Sequence, residues 1–127
     1  MQYYNTKPIR TTNREARNYV INGVPFKNSN GQLFGRWETP SLYVVYSYGE
    51  HWPLFAWDGQ AKEWLENYDK YSVTTSRHRT CAHPLTDTNQ MSRTILKHII
   101  ANRIDAHWAA KRAAAMHDVQ TTLGLAA

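Results

Sequence analysis

The sequence predicts an α+β domain: an antiparallel meander of three to four strands, a short N-terminal helix ahead of it, and a long C-terminal helix packed on it. Three observations carry that expectation. The middle third alternates β-branched and aromatic residues between turn signals. The last third switches to apolar residues recurring three and four apart. The 127 residues suit one core that needs no disulfide or metal staple, and five tryptophans with eight tyrosines supply much of its apolar area.

Residues 1–10 lack periodicity and contain Pro8, so they read as an arm or an edge segment. Residues 11–23 form the short helix, with Thr11, Thr12 and Asn13 as caps, Ala16, Tyr19 and Val20 on one face, and Asn22-Gly23 as the stop. The pair Asn30-Gly31 tolerates positive φ and marks a turn before the meander of residues 33–68. Its strands fall at 33–38, 42–48, 52–57 and 62–68, with turns at Gly49-Glu50 and Asp58-Gly59. Both faces of the second strand, LYVVYSY, are partly apolar, as a central strand requires. Pro53 cannot donate to a ladder, so the third strand frays there or turns that position outward. Residues 70–84 form a polar motif. Residues 87–116 form the long helix, capped by Thr86, Asp87 or Thr88, with Met91, Ile95, Leu96, Ile99, Ile100, Ile104 and Trp108 as its apolar stripe. Ile95, Ile99 and Ile100 are expected to be buried against the sheet, and residues 117–127 form a frayed tail.

The net charge of +5 conceals a segregation along the chain. Residues 1–36 carry six Lys/Arg against Glu15 alone. Residues 37–69 carry six carboxylates against Lys62 alone, and residues 70–127 carry eight Lys/Arg against Asp87, Asp105 and Asp118. If the outer segments share a face, their field steers a polyanion; otherwise they are the solvated faces of ordinary helices. The lone Cys81 excludes an intrachain disulfide, the start MQYYNTKPIR is no signal peptide, and no apolar run approaches the roughly 20 residues of a membrane span. The expectation is a cytoplasmic protein without a membrane partner.

The motif NYDKYSVTTSRHRTCAHP at residues 67–84 concentrates hydroxyls, arginines, histidines and the cysteine. Lys70, Arg77 and Arg79 can neutralise phosphates, Ser72, Thr74, Thr75 and Ser76 can donate to phosphate oxygens, Tyr68, Tyr71 or Trp64 can stack on an unpaired base, and Arg77, His78 and Arg79 are expected to present charge outward to a polyanion. On the long helix, Arg103, His107 and Lys111 form a row at i, i+4, i+8, and Arg103 and Lys111 join the candidate binding set. The competing reading is that Thr74, Thr75 and Ser76 cap a short helix or turn while Arg77 and Arg79 make surface ion pairs.

Other chemistries are weaker. His78, Cys81 and His83 follow H-x-x-C-x-H but lack a fourth ligand with regular spacing, so structural histidines and a small packed cysteine are expected, with no metal and no cofactor. Cys81 near two histidines has no flanking nucleophile signature. His78 as general base beside Arg77 or Arg79 lacks an accompanying carboxylate cluster.

Three stretches, YVVYSYG at residues 43–49, WLENYD at 64–69 and KYSVTTSRH at 70–78 followed by Pro84, resemble a family of small bacteriophage and plasmid proteins of unknown function. The resemblance covers about a third of the chain and assigns no residue a role. It implies a phage or mobile-element origin, hence the host cytoplasm. The expected function is therefore a non-enzymatic accessory protein that binds nucleic acid or a host nucleoprotein through a basic and aromatic surface. The alternative is a protein-directed inhibitor or adaptor of a host defence factor, acting through the tryptophan-rich meander. A histidine-dependent enzyme comes third.

Overall fold

The computed structural model describes residues 3–124. Its elements are β1 (Ile9–Thr11), a 3-10 turn at Asn13–Glu15 leading into α1 (Ala16–Ile21), β2 (Phe26–Asn28), β3 (Leu33–Thr39), β4 (Leu42–Ser47), β5 (Pro53–Asp58), β6 (Glu63–Asn67), α2 (Val73–Ala82), β7 (Thr88–Met91) and α3 (Arg93–Thr122). The strands pair in chain order into one seven-stranded sheet. Its outermost pairs, β1 with β2 and β6 with β7, are parallel, and the rest are antiparallel.

The meander of three to four strands therefore accounts for β3 to β6 only, and the sheet is larger and mixed. Residues 9 and 10, expected in an arm or edge segment, form an edge strand with Thr11, which was expected to cap the helix, and pair with β2. Residues 88–91, expected as the first turn of the long helix, form β7 beside β6. Neither edge segment alternates apolar and polar residues, because an exposed edge strand of three or four residues has little to bury.

The pairings give β1, β2, β4, β6 and β7 a common direction. Both parallel connections then step the same way across the sheet, so right-handed crossovers set α1 and α2 on the same face. The two helices meet there: Arg17 of α1 donates from Nε to the His83 carbonyl (2.8 Å) and from Nη2 to the Thr80 carbonyl (2.6 Å), capping the end of α2. Val20, Phe26, Leu33, Tyr43, Val45 and Phe55 fill the core beneath them. The opposite face carries Leu42, Val44, Tyr46, Ala56 and Leu65, covered by Leu96 and Ile100 of α3. Strand β4, fourth of seven, is buried along its whole length, which is why its sequence is apolar on both faces.

Pro53 is accommodated by a bulge. Val45 pairs with Phe55 and Tyr46 with Pro53, leaving Leu54 as the extra, fully buried residue. Gly35 permits close packing at the β2 crossing, since a Cβ there would lie 2.5 Å from the Tyr43 hydroxyl and 2.6 Å from the Phe26 ring.

Helix α3 starts later and ends later than the sequence suggested. Ser92 caps it by accepting from the Ile95 amide at 3.2 Å, and the helix continues through residues 117–122 of the expected tail. Residues 125–127 of that tail lie outside the described residues. Ile99 is half-buried, but Ile95 is 53% exposed, because the contact stripe runs through Leu96 and Ile100 instead. Among the described residues no helix is long and apolar enough to cross a membrane.

Candidate functional site

The polar motif of residues 70–84 is a helix. Ser72 opens α2 by accepting from the Thr75 amide at 3.0 Å. The buried face of α2 consists of Thr75, His78 and Ala82, spaced at helical intervals but polar or small. Thr75 and His78 are turned into the protein. Ser47, at the end of β4, lies 2.8 Å from His78 Nδ1 and 3.2 Å from Thr75 Oγ1, and the Ser72 hydroxyl donates to Thr75 Oγ1 at 3.1 Å. Burial, and secondarily the charge of Arg77, lowers the His78 pKa below its ordinary value, so the imidazole stays neutral. The Ser47–His78 spacing is that of a nucleophile and its base, yet Ser47 is 0% and His78 1% exposed, so the pair ties α2 to the sheet rather than meeting a substrate.

Arg79 also faces inward, which removes it from the expected binding set. It donates from Nη2 to the carbonyls of Asn67 and, at 2.7 Å, Asp69, pinning the segment that links β6 to α2. Its Nε lies 4.0 Å from Glu66 Oε2 without a hydrogen bond. The buried Glu66 carboxylate instead accepts from the Thr88 hydroxyl at 2.6 Å and faces His83 Nε2 at 3.4 Å. His83 Nδ1 accepts from the Leu85 amide at 2.9 Å, which puts the ring proton on Nε2, toward Glu66. Cys81 is partly buried on α2, and among the described residues no group of three or more His, Cys, Asp or Glu side chains is arranged to hold a metal ion.

Arg103 and Lys111 do not join the motif, because α3 lies on the opposite face of the sheet. Arg103 is committed to Asp58, a buried carboxylate on β5, through Nη2 at 2.8 Å and Nε at 3.2 Å. Lys111 sits on the exposed half of α3, its ammonium 6.0 Å from the Trp108 ring centroid.

Lys70, Tyr71, Ser76 and Arg77 remain exposed, with Thr74 half-buried beside them. They stand at the end of the molecule where β4, β6 and β7 finish and where α2 and α3 begin. Three residues that sequence reasoning missed join them there. Tyr48 and His51 come from the turn between β4 and β5, and Arg93 opens α3. Tyr71, 57% exposed, has its ring centroid 4.7 Å from that of the buried Trp52, with Tyr48 at 6.3 Å and His51 at 6.5 Å. The Arg93 guanidinium lies 5.1 Å from the Trp52 ring centroid. Tyr48 adopts φ +64°, a left-handed conformation uncommon for an aromatic residue, and its amide donates to the Gln32 carbonyl at 2.7 Å. Among the described residues Lys70, Arg77 and Arg93 make no ion pair. This rim thus combines an aromatic shelf with three cations that make no side-chain ion pair, while the Asp69 carboxylate accepts from the Arg93 amide at 2.9 Å and offsets the positive end of α3.

Compared with family models, with curated proteins and with solved structures, the chain matches none.

Proposed function

We propose that the protein is a non-enzymatic accessory protein of a phage or mobile element that binds single-stranded nucleic acid at this rim. The observation that carries the reading is Tyr71: an exposed ring backed by Trp52, with Lys70 next to it in the chain, Arg93 over Trp52 and Arg77 exposed on α2, none of the three side chains in an ion pair. An exposed aromatic face stacks on any unpaired base, and flanking cations neutralise the phosphates on either side. The phage origin rests on the YVVYSYG and KYSVTTSRH resemblance alone.

The test is binding of a fluorescent oligothymidylate across a salt series. Lys70→Ala with Arg77→Ala should leave thermal stability nearly unchanged, since both side chains are exposed and unpaired. It should flatten the slope of log affinity against log salt by about 0.7 per lost phosphate contact. Tyr71→Ala should weaken binding by about 1–3 kcal/mol at every salt concentration. Wild-type protein without salt-sensitive affinity for DNA or RNA would end this reading. A protein-directed role would then take precedence, favoured by the half-buried tryptophans at the other end of the sheet. Capture of a host protein that survives nuclease treatment distinguishes the two.

A further inference from the structure

At the end of the sheet opposite the rim, four aromatic residues stand side by side across four strands. The register pairs Trp37 with Tyr43, Tyr43 with Trp57, and Trp57 with Trp64. All four side chains project to the α1 and α2 face. Their rings are tilted rather than parallel: Trp37 and Tyr43 at 60° with centroids 5.2 Å apart, Trp57 and Trp64 at 56° and 5.7 Å, Tyr43 and Trp64 edge-on at 89° and 6.4 Å. They line an open depression of about 240 Å³, completed by the end of α1, from Val20 to Gly23.

The box is built. Tyr43 is fully buried as its floor, its hydroxyl donating to the Val24 carbonyl at 2.8 Å. Trp37 is fixed by its indole Nε1–H, which donates to the Gly23 carbonyl at 2.7 Å. Gly23 has φ +65°, and a Cβ there would come within 3.0 Å of the Trp37 ring, so the glycine makes room for the indole. Trp57 and Trp64 are only partly buried and keep ring surface open to the cavity.

The chemistry of the lining selects the ligand. Among the described residues no charged side chain lines the cavity. A phosphate or carboxylate would find no cation there. What several tilted ring faces offer is negative quadrupole potential, which attracts a cation that needs no hydrogen bonds. The volume lies below the roughly 300–1,000 Å³ of pockets that take whole drug-sized ligands, so it suits a head group or the tip of a side chain. We propose that Trp37, Trp57 and Trp64, set over the buried Tyr43, form a binding site for a methylated ammonium group, either free or at the end of a trimethylated lysine.

The experiment titrates the full chain with choline, with its uncharged isostere 3,3-dimethyl-1-butanol, and with a short peptide carrying trimethyllysine or unmodified lysine. Binding is followed through the indole N–H resonances. Choline should shift the Trp57 and Trp64 signals while leaving Trp52 and Trp108 in place, and should bind about tenfold more tightly than the isostere, within the range of a desolvated cation–π contact. Tighter binding of the trimethyllysine peptide than of choline identifies a protein tail as the source, and the reverse order identifies a free small molecule. Trp57→Leu should abolish the shifts. Because that change alters the sheet, 5-fluorotryptophan incorporation provides the second variant. It preserves shape, withdraws ring electron density and should weaken choline but not the isostere. Equal affinity for choline and isostere, or no shift at 100-fold the protein concentration and beyond into the tens of millimolar, overturns the proposal. Oligonucleotide binding at the rim is read separately, so failure of either site leaves the other standing.

Discussion

His78 illustrates how a residue with the look of a catalytic group becomes structural. In sequence it sits between two arginines in a hydroxyl-rich run, the setting of a general base or a phosphate ligand. In the fold it is enclosed under Tyr48, whose ring centroid is 5.8 Å away, and bonded to Ser47 beside Thr75. Its lowered pKa has a consequence for stability. The unfolded chain takes up the proton more readily than the folded one, so the contribution of neutral His78 is complete above its ordinary value of 6.5 and is lost as pH falls through the lowered folded value. Unfolding free energy from urea titrations should therefore decline between pH 7.5 and pH 5 more steeply in wild type than in His78→Gln, which cannot titrate. Identical slopes would mean that carboxylates alone set the acid limb. The neighbours Arg77 and Arg79 show the same divergence of fate from near-identical sequence context. Two residues further along a helix is a rotation of about 200°, enough to send one guanidinium to solvent and the other to the Asn67 and Asp69 carbonyls.

At the scale of elements, legibility follows how each segment is buried. Strands β3 to β6 were readable because each buries a face against a helix, which writes alternation into the sequence, and β4 was readable as central because it buries both. Helix α2 was legible only in the competing reading of a capped short helix or turn, because its inward face is Thr75, His78 and Ala82, so the helical period is present without the hydrophobicity that normally reveals it. The rim suffered similarly. Lys70, Tyr71 and Arg77 are contiguous enough to notice, whereas Tyr48, His51 and Arg93 arrive from two other segments and carry no shared pattern. For α3, the existence of the helix was plain from its stripe, but the stripe is wider than the contact, so Ile95 was assigned inward on periodicity that the packing does not use. Leu96→Ala should cost about 2–5 kcal/mol by transfer and cavity terms, because Leu96 is fully buried against the sheet. Ile95→Ala, at an exposed position and with a better helix former, should change stability by no more than about 0.5 kcal/mol. Chemical denaturation of the two variants checks the pair, and similar losses from both would place the contact stripe elsewhere.

At the scale of the whole molecule, the sheet organises two ends with different chemistry. The strands that run in parallel finish, and α2 and α3 begin, at the rim with its unpaired cations, while the aromatic box occupies the end where those strands start. The charge segregation read from the sequence does not map simply onto these ends. Arg36, Arg79 and Arg103 are engaged by carboxylates or carbonyls, so many formal charges are spent internally and only a subset shapes the outer field. Helix α3 departs from this plan. It is 30 residues and about 45 Å long, yet beyond Trp108 every described residue is exposed. The projecting half is rich in alanine, from Ala109 to Ala115, which sustains helix by propensity where no packing does so. A helix segment held by propensity alone should fray on its own, independently of the core. Ending the chain after Lys111 should therefore lower the helical circular dichroism signal while leaving the cooperative thermal transition within about 2 °C of wild type, a shift corresponding to well under 1 kcal/mol for a domain of this size. Backbone amides of residues 112–122 should exchange with solvent far faster than those around Leu96 and Ile100. A truncated chain that loses its cooperative transition, or slow exchange throughout the projecting half, would mean that this segment is packed in solution, with Trp108, Met116 and Val119 buried against a second surface instead of lying exposed.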